Sequence, residues 1–213
     1  LTLLLDASAS MGYGSHRVNK LDYARYLAAS LCYMAHHQRD AAGLIVFDDA
    51  VRNHMMPSSR HGQLMRLLHA IERIELGRRT DFQKPFLHFQ EFLFRPGIVA
   101  VISDFYEKPE VVVRTVEPLR FRGNELILFH VLDPKEIDPG FRRPVLLRDM
   151  ESDDAMDVTP EYAHTEYRAK IDAHIESLES SVKRAGMDYF LLNTSRPLDE
   201  ALREYMVIRQ GRI

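Results

Sequence analysis

Two apolar runs, each closed by an aspartate, constrain this chain most. Residues 1–5 are leucine but for Thr2 and lead into Asp6; residues 98–102 are all apolar and lead through Ser103 into Asp104. Neither run alternates polar with apolar, so each reads as a strand buried on both faces, the pattern of a parallel sheet covered by helices. The second run is read as a strand over 97–103, and further apolar strands are predicted at 43–47, 125–132 and 187–192. Between them lie stretches of helical periodicity, the first running from Lys20 to Gln38 on Leu21, Ala24, Leu27, Leu31 and Met34. Strand–helix alternation along the chain predicts an α/β fold: a three-layer, doubly wound, mostly parallel sheet with helices on both faces. Residues 51–55, after the turn at Asp48-Asp49, read as one antiparallel edge strand. Residues 145–158 read as a small β-hairpin insertion around Ser152-Asp153-Asp154.

Other helices are expected at 64–74 (capped by Ser59), from about Gln83, at 110–119, from Thr159-Pro160-Glu161 to Gly186, and from Pro197. The phenylalanine row Phe82, Phe86 and Phe89 is read as core. No linker, repeat or low-complexity segment divides the 213 residues, so a single domain over 1–213 is expected. Leu1 falls inside a strand, which suggests a fragment whose upstream region, with any targeting information, is absent.

In an open α/β sheet, ligands bind beyond the carboxyl ends of the strands, where the strand order reverses. Asp6 and Asp104 are both strand-end carboxylates. Ser8 and Ser10 follow Asp6 in the run Asp6-Ala7-Ser8-Ala9-Ser10, and Thr80 lies ahead of a helix. If these five meet, they form an all-oxygen pocket suited to a hard divalent cation, most simply Mg²⁺. The competing reading is that the serines cap the following loop and Asp104 caps a turn.

The pattern D-x-S-x-S, then T, then D resembles the metal-ion-dependent adhesion site of von Willebrand factor A (vWA) domains, with all five positions filled. The resemblance implies that Asp6, Ser8, Ser10, Thr80 and Asp104 hold Mg²⁺, with Mn²⁺ or Ca²⁺ as alternatives, and that a partner's acidic group completes the coordination. Beyond these five, the runs Asp133-Pro134-Lys135-Glu136, Leu147-Arg148-Asp149-Met150-Glu151 and Gly186-Met187-Asp188-Tyr189, with Arg196-Pro197-Leu198-Asp199-Glu200-Ala201-Leu202, resemble the domain-of-unknown-function 58 (DUF58) family. That family is bacterial or archaeal and has an extra upstream region. It is associated with MoxR-type AAA+ ATPases, so the resemblance implies an adaptor or chaperone-like partner of such an ATPase. One departure stands out: the position before the metal threonine, usually glycine, is Arg79, preceded by Arg78. These guanidinium groups either raise the local positive potential and favour an acidic partner or point into solvent.

Other chemistries find less support. Net charge is -3, and no long basic run favours nucleic acid or a membrane surface. No stretch approaches the ~18 apolar residues of a membrane span. The single cysteine, Cys32, excludes an internal disulfide and fits a reducing compartment, so a cytoplasmic location is expected. No histidine has a context that places it beside Ser8 or Ser10; His16 reads as exposed loop. A haloacid-dehalogenase-type phosphatase needs a carboxylate where Ser8 stands. Gly12 and Gly14 alone make no phosphate loop. No zinc spacing occurs among the ten histidines. The acidic run from Asp149 to Asp157 has Asp154 and Pro160 where a calcium loop needs glycine and glutamate. The leading expectation is a non-enzymatic, metal-dependent protein-binding module. A metal-dependent phosphohydrolase using the same site is the alternative, and a degenerate domain without metal the third reading.

Overall fold

The computed structural model describes residues 1–77, 81–89, 95–148, 150 and 155–210. Six strands form one sheet: β1 (Thr2–Asp6), β2 (Ala42–Phe47), β3 (Val51–Ser58), β4 (Ile98–Ser103), β5 (Glu125–Leu132) and β8 (Asp188–Asn193), in the order β3-β2-β1-β4-β5-β8. All neighbours are parallel except β3, which pairs antiparallel with β2 at the edge. β6 (Val145–Arg148) and β7 (Ala155–Val158) make a separate antiparallel hairpin. The mostly parallel α/β sheet, its antiparallel edge and the small hairpin are those predicted from the sequence.

Consecutive residues of each central strand feed opposite cores. Leu3 and Leu5 pack with α1 (Lys20–His37) and α2 (Gln63–Glu72), and Leu4 packs against α3 (Gln83–Phe89) and α4 (Pro109–Phe121). The long C-terminal helix α7 (Arg168–Arg184) joins the second core through Leu178 and Val182. The last helix, α8 (Leu198–Gln210), joins the first through Tyr205. This two-sided burial is why the strands read as unbroken apolar runs. Phe82, Phe86 and Phe89 surround Phe47 edge-on, their ring centroids 5.5–6.1 Å from its own. The row is core, as expected, and Cys32 is a buried free thiol.

Local differences from the sequence reading have physical causes. Helix α2 begins at Gln63 after Gly62 without a side-chain cap, so Ser59 does not cap it. Strand β3 runs on to Ser58 because an irregularity in its pairing with β2 between Ala42 and Leu44 absorbs Pro57. A one-turn helix α5 (Pro134–Ile137) follows β5, fixed by a capping box between Asp133 and Glu136. The helix expected from Thr159 opens as α6 (Pro160–Tyr162), continues as a π-helical turn (Ala163–Tyr167) and only then becomes α7. The hairpin tip expected at 152–154 lies outside the described residues. Among the described residues, no helix is long and apolar enough to cross a membrane.

Gly43 marks where the edge strand is closest. A Cβ there would stand 2.6 Å from Pro57 N and 2.7 Å from Met55 O, both backbone atoms that cannot rotate away. Gly43→Ala is therefore expected to lower stability by about 1–3 kcal/mol, read as a fall in the urea midpoint. A midpoint equal to wild type would show that the edge strand moves freely.

Candidate metal centre

The strand order reverses between β1 and β4, since the chain builds outward on one side of β1 and returns on the other. Leu5 pairs with Ile102, so the ends of these two strands lie level. This register puts Asp6 beside Ser103, whose hydroxyl donates to Asp6 Oδ2 at 2.7 Å. The backbone N–H of Ser8 donates to Asp6 Oδ1 at 2.8 Å. Ser8 then enters a 3-10 turn (Ala9–Gly12), with Met11 N–H donating to Ser8 O. That turn brings the hydroxyls of Ser8 and Ser10 within 3.1 Å of each other. Asp6 and Ser8 are fully buried, and Ser10 is half-buried.

Asp104 follows β4 and is almost fully buried. Phe105 after it adopts φ 44°, a strained conformation for a bulky residue. Its N–H donates to Ser103 Oγ, its carbonyl accepts from the His174 ring at 3.0 Å, and its ring packs on Phe82. Four of the five sequence-predicted residues, Asp6, Ser8, Ser10 and Asp104, thus gather at the switch point. Thr80, with Arg78 and Arg79, lies outside the described residues. The last residue described before it, Gly77, donates its N–H to Ala7 O at 2.6 Å. A Cβ on Gly77 would lie 2.0 Å from Asp48 Oδ2, so glycine is required for this close approach.

Sequence reasoning missed the ammonium beside these acids. Lys20 opens α1 with no exposed side-chain surface. It donates to Asp104 Oδ2 at 2.8 Å and to Glu136 Oε1 at 2.7 Å, with the Tyr106 ring 4.8 Å away. Glu136 in turn accepts from Asp133 N–H, and Asp133 accepts from the backbone N–H and hydroxyl of Ser15. The loops after β1, β4 and β5 are tied together by these bonds. Two signals in the sequence pointed to Lys20. It falls on the same helical face as Ala24, Leu27 and Leu31, and a cation in the first turn opposes the helix dipole unless an acid neutralises it.

Burial, and then the charge of Asp104, push the Asp6 carboxyl up to about 7. Burial opposes the charge of Lys20, but Asp104 and Glu136 outweigh it and hold the ammonium above its ordinary range. Burial pushes Glu136 up, against the pull of Lys20. Lys20 therefore answers Asp104 and Glu136, and among the described residues no cation pairs with Asp6. Among the described residues no three His, Cys, Asp or Glu side chains group so as to hold a metal. The donors at hand are two carboxylates and neutral hydroxyls, a hard all-oxygen set that fits Mg²⁺ better than a softer ion. A cavity of about 620 Å³ opens directly onto Asp6, Ser10 and Asp104.

Two predictions follow from these charges. In the unfolded chain Asp6 titrates near 3.8, and in the native metal-free protein near 7. Between those values the native state holds the extra proton, so this group's contribution to stability falls as pH rises. In EDTA, Asp6→Asn should therefore gain on wild type from about pH 4 to about pH 7, by an amount on the order of a few kcal/mol, and level off above. A difference independent of pH in paired urea melts would contradict the charge assignment. Lys20→Met should destabilise the metal-free protein by about 3–5 kcal/mol, because two carboxylates lose their cation, and thermal unfolding measures this directly.

A family described as "Protein of unknown function DUF58" matches residues 1–187. No curated protein matches the sequence. Among solved structures, the chain is similar to the conserved hypothetical protein BatB from Bacteroides thetaiotaomicron, with TM-score 0.65 and 13% identity over 98% of this chain and 96% of that one. It is similar also to an aerotolerance-related membrane protein from Bacteroides fragilis NCTC 9343, with TM-score 0.62 and 15% identity over 95% and 96%. The SpRpn10 VWA domain gives TM-score 0.50 and 10% identity over 95% and 93%. At such identities the likeness is one of fold, and the fold is vWA-like.

Proposed function

The chain belongs to the DUF58 family, and on that premise we propose that it is a non-enzymatic, metal-dependent protein-binding module of the bacterial cytoplasm. Asp6, Ser8, Ser10, Thr80 and Asp104 would hold one divalent cation, Mg²⁺ in the first instance, and an aspartate or glutamate of a partner protein would complete its coordination. The partner class is a MoxR-type AAA+ ATPase or one of its clients, which the chain would serve as adaptor. The observation that carries the reading is the gathering of Asp6, Ser8, Ser10 and Asp104 at the strand-order reversal, with Asp6 buried and, among the described residues, paired with no cation.

The residues supply the affinity in a particular way. Neutral hydroxyls donate oxygen without cancelling charge, so the cation stays electrophilic toward an incoming carboxylate. Lys20 draws off part of the Asp104 charge, which works in the same direction. Metal affinity without the partner should accordingly be modest. The Ser8 and Ser10 hydroxyls bond to each other, and among the described residues no histidine bonds to either, which argues against a serine nucleophile.

Mg²⁺ should raise the melting temperature of the wild type by mass action and leave that of Asp6→Ala unchanged. Pull-down of a MoxR-type ATPase should need the cation, vanish in EDTA and weaken strongly in Asp6→Ala and Thr80→Ala. Arg79→Gly should weaken it less, with a loss that shrinks at high salt. Association at full strength in EDTA would refute metal docking. Turnover of a generic phosphate ester with Mg²⁺ or Mn²⁺ that disappears in Asp6→Ala would favour the phosphohydrolase instead.

A further inference from the structure

The cavity at the candidate metal centre is far larger than one carboxylate side chain requires. At about 620 Å³ it falls within the range of small-ligand sites. Its polar groups are Asp6, Ser10, Ser103 and Asp104, with Glu107, Glu136 and Lys135 also on the lining. Its remaining walls are mostly aromatic and apolar and come from elements remote in sequence: Tyr106 after β4, Phe141 after α5, Tyr167 on the π-helical turn, and Leu147 and Met156 from the hairpin. The hairpin thus contributes side chains to the wall of this cavity. Several of these side chains remain open to solvent: Tyr106 is 49% exposed and Met156 50%, as is Met150 beside them at 48%. Exposed apolar side chains gathered around a concave site mark a surface that another molecule covers. Methionine suits a surface that adapts to the side chain it receives.

We propose that this cavity is a side-chain pocket, so that the module recognises an extended peptide segment carrying an acidic residue next to a large apolar one. The inference rests on the metal-docking reading above and adds the second half of the recognition element. The lining by itself is acidic, with Asp6, Asp104, Glu107 and Glu136 against Lys135, so an acidic group enters only as a ligand to a bound cation. With a divalent cation in place, the polar end needs one more anionic oxygen donor, and the contiguous apolar walls need an apolar group within one residue's reach of it. A free carboxylate would leave the walls wet. An apolar segment alone would leave the cation's open position to water. A partner supplying both groups gains from both, and the hairpin acts as the specificity element.

The test is titration of the full chain in Mg²⁺ with N-acetyl-Asp-Phe amide, N-acetyl-Phe-Asp amide and N-acetyl-Asp-Gly amide, followed by NMR. At least one phenylalanine probe should bind roughly ten-fold or more tightly than the glycine probe, the gain expected from burying an aromatic side chain. That preference should be erased by Met156→Glu, a half-exposed position where the charge does not threaten folding, and retained by Met156→Leu. Equal, Mg²⁺-dependent binding of all three probes would overturn the pocket and leave metal docking standing. A phenylalanine preference that persists in EDTA would overturn the joint site together with the metal reading. Stronger binding of N-acetyl-Lys-Phe amide in EDTA would assign the cavity to a cation instead. Failure of every probe to bind would overturn the proposal, and a Mg²⁺-induced rise in melting temperature in the same sample would show that the metal reading survives it.

Discussion

The Lys20 ammonium has no water to solvate it, so it must be neutralised where it lies, and the groups that do so come from two different loops. Asp104 arrives on β4, Glu136 on α5, and Lys20 itself on the first turn of α1. A buried ion pair of this kind is seldom a large net source of stability, because desolvation offsets most of the attraction. Its value here is geometric. Asp104 keeps one orientation relative to Asp6 because its Oδ2 is held, and Glu136 keeps the β5 loop against the β1 loop through Asp133 and Ser15. The candidate centre is therefore held in part by two charges, Lys20 and Glu136, that are not among its predicted ligands.

Sheet topology supplies the rest. Parallel strands with level ends set Asp6 and Ser103 side by side, and the reversal of strand order opens a crevice there. Backbone strain at Phe105 and the close approach at Gly77 both sit beside this crevice. Backbone strain at Phe105, beside Asp104, is consistent with a site held by its surroundings. Asp6 completes the picture, since burial and Asp104 together leave its carboxyl poised near neutrality.

The relation between hairpin and centre explains why the site is a pocket and not a flat patch. Among the described residues, strands β6 and β7 pair only with each other. Their apolar side chains cannot join either core of the main sheet, and Leu147 and Met156 instead face the cavity above Asp6 and Asp104. The π-helical turn adds Tyr167 to the same wall. Broken helical periodicity of this sort often accompanies functional sites.

The sequence by itself determined the layers, the edge strand, the hairpin and four residues that gather at the switch point. Each of these rests on local signals: unbroken apolar runs, helical spacing, turn residues and strand-end aspartates. Thr80 was read from the same kind of signal, and it lies outside the described residues. Only the tertiary structure decided that Lys20 is buried against Asp104 and Glu136, that Ser103 binds Asp6, and that the hairpin lines the cavity at the centre. These contacts join residues about 80 to 120 positions apart. No local periodicity encodes such a pairing, because the chain between can close the loop in many ways at little difference in entropy. The buried charge was visible as an oddity on the core face of α1, but which acids answer it is settled only when the strands take their order in the sheet.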